Sequence, residues 1–253
     1  MIVGLGSIGK RHLRNILAIE NTKKLEIIIY SKQTKSYLSN YKNIKIFDTL
    51  DKCLLEKPDV GFITNETVHH IPIAIKLAKV GLDLFIEKPL SNKISNVKTF
   101  SKIIKTKKLI TLVGCNLRFH RCINEIKNLI DQKVIGDIIS VKVECGTYLP
   151  DWHPNEDYSK SYASRDDLGG GVVLTCIHEL DYLYWFFGET QEVFSMTGVK
   201  TQCVCLKLPF SSFPIFPENE TIFFAPSLQT ISKSAPNKYP TFLNIGNRSR
   251  NTS

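Results

Sequence analysis

The chain has 253 residues, enough to bury one large core or two moderate ones, and its 43% hydrophobic and 23% charged content excludes disordered and collagenous classes. The net charge of +9 comes from lysines dispersed among Ile and Asn along helical patterns rather than from an arginine-rich stripe with aromatics, so no nucleic acid partner is expected, whereas an anionic substrate or cofactor suits that field. No run approaches the roughly eighteen apolar residues of a membrane span, the start lacks a basic leader, and seven scattered cysteines suit a reducing compartment, so a cytoplasmic protein with no membrane partner is expected.

Short β-branched runs at 1–5, 25–30, 44–47, 60–64, 84–86 and 110–113 read as strands. Between them, 7–19, 67–80, 91–107 and 122–133 carry apolar residues three and four apart, as helices do, and Gly81 supplies a stop. This alternation predicts an α/β fold with a doubly wound parallel sheet. The rhythm changes after Gly136: over 138–146, Ile139, Val141 and Val143 alternate with Ser140, Lys142 and Glu144, as in a half-exposed antiparallel strand opening a second domain. Residues 169–188 read as a glycine turn feeding a buried helix, and 192–199 as another strand. From about Gln202 onward Pro209, Pro214, Pro217, Pro226, Pro236 and Pro240 interrupt every apolar run, and no period survives. The exposed aromatics there are foreign to a linker, and we read the segment as out of frame with what precedes it. Cys203 and Cys205 lack a second pair or nearby histidines, so no metal site is expected.

Three constellations carry chemistry. Gly4-Leu-Gly6-Ser7-Ile8-Gly9 follows a strand and opens a helix, so its glycines can make a tight turn, admit a pyrophosphate and pack helix on strand. A free ribose 2′-hydroxyl calls for an acid at the end of the next strand, which instead ends Tyr30-Ser31-Lys32; Ser31 and Lys32 tilt the expectation from NAD toward NADP, and surface residues are the plain alternative. Glu87-Lys88-Pro89 stands at the carboxyl end of a predicted parallel strand, where Lys88 can exchange a proton with a substrate oxygen and the X-Pro bond has a cis option. The third is Gly169 through Asp181, where His178 and Asp181, three apart, share a helical face and Asp181 can orient the imidazole. Taken singly, EKP is a surface lysine and His178 a core histidine.

Together these residues resemble the glucose-fructose oxidoreductase, inositol dehydrogenase and rhizopine catabolism (Gfo/Idh/MocA) oxidoreductases. The likeness is carried by GLGSIGKRHLRN (4–15), FITNETVHHIPIAIKLAKVGLDLFIEKPLS (62–91), VGCNLRFH (113–120) and GGGVVLTCIHELDYLYWFFG (169–188), and extends to about residue 200. The resemblance implies a Rossmann domain over 1–118 and a partial α/β domain over 119–201 with an open, mostly antiparallel sheet for substrate and homo-oligomer contacts, leaving 202–253 as an irregular tail. It further implies NAD or NADP as hydride carrier, Lys88 and His178 as the acid-base pair, and Asn65 and Glu87 lining the cofactor. The segment 148–158 looks like that of branches handling surface-polysaccharide sugars, which implies a sugar-like substrate with Arg118, Trp152, His153, Tyr162 and Arg165 as contacts. Thr175 stands where family members often carry an aspartate. An inactive dinucleotide- or sugar-binding protein of the same fold is the alternative. A methyltransferase would leave EKP and the His178 helix without a role.

Overall fold

The computed structural model describes residues 1–19, 25–32, 41–152, 155, 157–195, 197–200, 203–206, 223–224 and 241–246, the last four segments by backbone alone. The chain forms two compact units, residues 1–115 with 162–175, and residues 116–161 with 176–253. The stretch 162–175 groups with the first unit, which no local pattern announced.

In the first unit, β1 (Ile2–Val3), β2 (Ile27–Tyr30), β3 (Ile44–Phe47), β4 (Val60–Ile63), β5 (Asp83–Ile86) and β6 (Thr111–Val113) form one sheet ordered β3-β2-β1-β4-β5-β6, and every pairing is parallel. Alternate residues feed opposite faces. Ile2, Ile27 and Ile29 pack with Leu13 of α1 (Ser7–Ala18). On the other face Val3, Ile28, Ile63, Leu84 and Ile86 meet Cys53 of α2 (Leu50–Leu55), Ile71, Ala74 and Leu77 of α3 (His70–Val80) and Phe100 of α4 (Val97–Lys107). Strands covered on both faces explain the continuous apolar runs, and each fully buried aliphatic contributes about 1.5–3 kcal/mol. This is the expected doubly wound Rossmann-like fold. Its strand order reverses at β1, leaving a crevice beyond the carboxyl ends of β1 and β4.

Local chemistry moved several boundaries. The helix expected at 91–107 begins only at Val97, because Asn96 turns the chain at φ 63 and Ser91 Oγ ties back to Lys93. The helix expected from Thr67 opens with a 3-10 turn, Thr67–His69, before α3. Gly81, at φ 96, stops α3 as expected, its N–H reaching back to Ala78 and Leu77. Helix α2 was not anticipated: six residues are too short to show a period, although Thr49 caps it by accepting the Lys52 N–H at 3.3 Å.

The region predicted as one buried helix after the glycine turn is two: α6 (Val172–Thr175), in the first unit, and α7 (Ile177–Phe187), in the second. The second unit also contains α5 (Arg121–Asp131) and β7 (Ser140–Cys145). Val141 and Val143 of β7 are buried under Tyr182, Leu183 and Phe186 of α7, with Ile123, Ile126 and Ile130 of α5 packed alongside, so the predicted alternation holds. The strand expected at 192–199 is confined to β8 (Thr197–Lys200), and residues 192–195 are irregular. Strand β8 pairs antiparallel with β9 (Cys203–Leu206), while β7 pairs parallel with β10 (Phe223–Phe224) and antiparallel with β11 (Thr241–Gly246). Strands therefore occupy parts of 202–253, expected to be irregular; the remainder of that segment lies outside the described residues.

Candidate active site

The glycine turn joins β1 to α1, and its glycines serve different ends. Gly4 lies at φ +91, and a Cβ there would stand 2.9 Å from Asn65 Cβ. At Gly9 a Cβ would fall 2.2 Å from the Gly4 carbonyl oxygen and 2.9 Å from Thr64 Oγ1, so this position is closed by the turn itself. Thr64, buried at the end of β4, donates its hydroxyl to that same Gly4 oxygen at 2.7 Å. At Gly6 a Cβ would meet nothing within 4 Å among the described residues. Helix α1 has no side-chain cap and no acid in its first turn, which leaves Ser7, Ile8 and Gly9 at a helix N-terminus whose amides favour an anion. Asn65 Oδ1, beside this turn, is a buried acceptor without a partner among the described residues. An open Gly6, an uncapped positive helix end and a spare amide acceptor fit a dinucleotide. At the end of β2, Ser31 is half-buried with its N–H on Phe47 O at 3.0 Å, and Lys32 is exposed.

Beyond β5, Glu87 has a partner that local sequence did not suggest. One carboxylate oxygen lies 2.6 Å from His12 Nε2 of α1, and the other accepts the Lys88 N–H at 3.1 Å. The imidazole of His12 also packs edge-on to Phe85 at 4.9 Å. Glu87 thus ties α1 to the end of β5 with both oxygens engaged. Lys88 precedes a cis peptide to Pro89 and donates through Nζ to the Thr175 carbonyl at 2.9 Å. The Thr175 hydroxyl turns back to Gly171 O at 2.6 Å, so the lysine meets the main chain at 175. The segment carrying Thr175 is seated by glycines. Gly169, at φ +80, would bring a Cβ within 2.9 Å of Thr67 Cβ, and Gly170 within 2.0 Å of the Tyr162 carbonyl oxygen. Arg165 is exposed and forks onto Asp167 at 3.0 and 2.5 Å, a pairing that competes with any substrate contact.

Between Asn65 and Pro89 lies His70, 1% exposed, with Nε2 2.9 Å from the Asn65 carbonyl oxygen and Nδ1 2.8 Å from that of Pro89. Burial pushes its pKa below the ordinary histidine value; the two carbonyls and the nearby Glu87 and Glu66 oppose that shift without reversing it.

In the second unit, His178 sits in the first turn of α7 and Asp181 one turn on. Asp181 was expected to orient the imidazole, but its two carboxylate oxygens accept from Arg118 Nε and Nη2, each at 2.8 Å. That bidentate fork also engages Arg118, expected to contact substrate, and the guanidinium lies 5.6 Å over the Trp185 ring. Trp152 donates its indole N–H to Thr147 Oγ1, and His153 lies outside the described residues. Tyr182 is buried with a hydroxyl that has no partner among the described residues, and burial pushes its phenol pKa up.

Three residues beside the site went unnamed at the level of sequence: His12, Thr64 and His70. His12 follows Gly9 by three positions on α1, and that spacing was the available signal. His70 and Thr64 looked like parts of apolar elements.

Comparison with known proteins finds two matching family descriptions. The oxidoreductase family with an NAD-binding Rossmann fold (GFO_IDH_MocA) covers residues 1–115, and the GFO/IDH/MocA C-terminal domain covers 123–212. The chain is 27% identical over 198 residues to the uncharacterized oxidoreductase YrbE of Bacillus subtilis, covering 77% of this chain and 55% of that protein. It is 25% identical over 209 residues to the myo-inositol 2-dehydrogenase of Thermotoga maritima, covering 77% and 56%. The crystal structure of scyllo-inositol dehydrogenase from Lactobacillus casei, with bound NAD(H) and scyllo-inositol, superposes with a TM-score of 0.62 at 23% identity, covering 78% and 56% of the two chains. The chain spans about half the length of the curated relatives it matches.

Proposed function

Since the chain belongs to the GFO/IDH/MocA oxidoreductase family, we propose that it transfers a hydride between NAD(P) and a hydroxyl or carbonyl group of a sugar or polyol. The observation that carries this reading is the pairing, within one parallel sheet, of an open glycine turn at β1 with Lys88 at the carboxyl end of β5. A bound nicotinamide would supply the hydride acceptor or donor, and this chain's residues supply binding and proton transfer. Gly4 and Gly9 shape the turn, Gly6 leaves the backbone open to a close approach by the pyrophosphate, and the amides of Ser7 and Ile8 face its charge. Asn65 Oδ1 offers an acceptor to the ligand.

Lys88 holds the proton that leaves or joins the substrate oxygen. Its anchor on the Thr175 carbonyl orients Nζ, and because that contact is to main chain, threonine at 175 is compatible with the role. His178 enters as second acid-base group from the family likeness. Asp181, forked to Arg118, positions the α7 face around that histidine. The lack of a carboxylate at 30–32 favours NADP over NAD, with Ser31 and Lys32 toward a 2′-phosphate. Residues 148–158 favour a nucleotide-linked or amino sugar as substrate.

The test is fluorescence titration of the purified chain with NADH and NADPH, then a panel of sugars and inositols followed by nicotinamide absorbance. Micromolar binding with turnover of one substrate class is the expected result. Failure to bind either dinucleotide overturns the reading; binding without turnover would favour a dinucleotide-binding protein of the same fold.

A further inference from the structure

The ring of His70 occupies a place that packing alone does not require. It is the first residue of α3 and is almost wholly buried, yet each of its nitrogens faces a backbone carbonyl, Asn65 at 2.9 Å and Pro89 at 2.8 Å. Both partners are acceptors only, so the neutral ring donates its one N–H to one of the two carbonyls, the tautomer deciding which, and sets its other edge against the second. One loop follows β4 and holds Asn65, whose Cβ lies against the glycine turn. The other follows β5 and holds Lys88, the residue before Pro89. An imidazole is flat and rigid, with its two nitrogens on separate edges. A rigid ring wedged between the two carbonyls and hydrogen-bonded to one of them therefore sets their spacing, and with them the residues on either side.

We propose that His70 is a positioning residue that holds Asn65 and Lys88 in register across the ends of β4 and β5. Its functional consequence rests on the dinucleotide reading above, whereas the tie itself does not. An apolar residue of similar size would fill much of the space but leave the bonded carbonyl without its donor. A glutamine retains an N–H and restores part of the tie.

The experiment uses the full chain and its His70→Leu and His70→Gln variants, read by amide hydrogen exchange and by NADH and NADPH titration. Reporter amides lie in both loops: His69 N–H on Glu66 O at 2.9 Å, Glu87 N–H on Ile63 O at 2.9 Å and Lys88 N–H on Glu87 at 3.1 Å. In His70→Leu, exchange should rise about tenfold in segments 64–69 and 87–91 together, with α4 and β2 unchanged. The dissociation constant of the dinucleotide should rise by a similar factor, and His70→Gln should recover part of both losses. Exchange that stays at the parent rate in either loop, or that rises uniformly along the chain, overturns the proposal. So does a His70→Leu protein that binds dinucleotide like the parent. If the parent binds neither dinucleotide while the two loops loosen together, the proposed function falls and the tie stands. Should His70→Leu not fold, the same readouts on His70→Gln decide: parent-like exchange in either loop refutes the tie.

Discussion

Replacing Gly9 with alanine separates the packing role of the glycine turn from its ligand role. The added Cβ would stand 2.2 Å from the Gly4 oxygen, about 1 Å inside an ordinary carbon–oxygen contact. The turn cannot swing aside freely, since Gly4 O accepts from Thr64 Oγ1 at 2.7 Å and Gly4 N–H donates to Tyr30 O at 3.2 Å. Overpacking against backbone belongs at the upper end of the usual range, about 3 kcal/mol, and alanine's better helix propensity returns about 1 kcal/mol. The net loss of about 2 kcal/mol corresponds to a melting midpoint roughly 4–8 °C lower for a chain of this size. Gly6→Ala meets nothing within 4 Å, so its midpoint should stay within a degree or two of the parent. Its methyl would nevertheless stand where the pyrophosphate approaches, and dinucleotide affinity should fall at least about tenfold, or 1.4 kcal/mol. Differential scanning fluorimetry and NADH or NADPH titration measure the two quantities. A Gly6→Ala protein that melts as low as Gly9→Ala, or binds dinucleotide like the parent, would refute this division of labour.

Lys88→Ala should lower turnover by about 10²-fold or more while leaving the dinucleotide dissociation constant near that of the parent, as steady-state kinetics and titration together would reveal. Equal loss of both would remove Lys88 from the proton-transfer role. Tyr182→Phe deletes a buried hydroxyl that has no partner among the described residues, so stability in urea should be unchanged or higher by up to about 1 kcal/mol; a loss beyond that size would mean the phenol is bonded. His70 is held below the ordinary histidine value, so the unfolded chain binds more protons between the folded pKa and about 6.5. Its contribution is therefore complete above about pH 6.5 and declines as pH falls below it. Denaturation curves across pH 5–8 should show that decline in the parent and a flatter profile in His70→Gln; identical slopes would count against it.

The sequence by itself determined the doubly wound unit, the glycine turn and the location of Lys88 at a strand end. Each depends on signals spread over a few residues: alternating or continuous apolar runs, a glycine that alone tolerates φ +91, a lysine directly after a strand. The same local logic identified β7 and the helix bearing His178. Short elements such as α2 stayed hidden because six residues are less than two turns. Partnerships were decided only by the tertiary structure. Glu87 meets His12, 75 residues away; Asp181 was matched to its helix neighbour His178 but is taken by Arg118, 63 residues away. Lys88 rests on the carbonyl of Thr175, 87 residues on. Periodicity reports which face of an element is buried. It carries no information on which distant group completes a carboxylate or an ammonium, because that match is made across the fold.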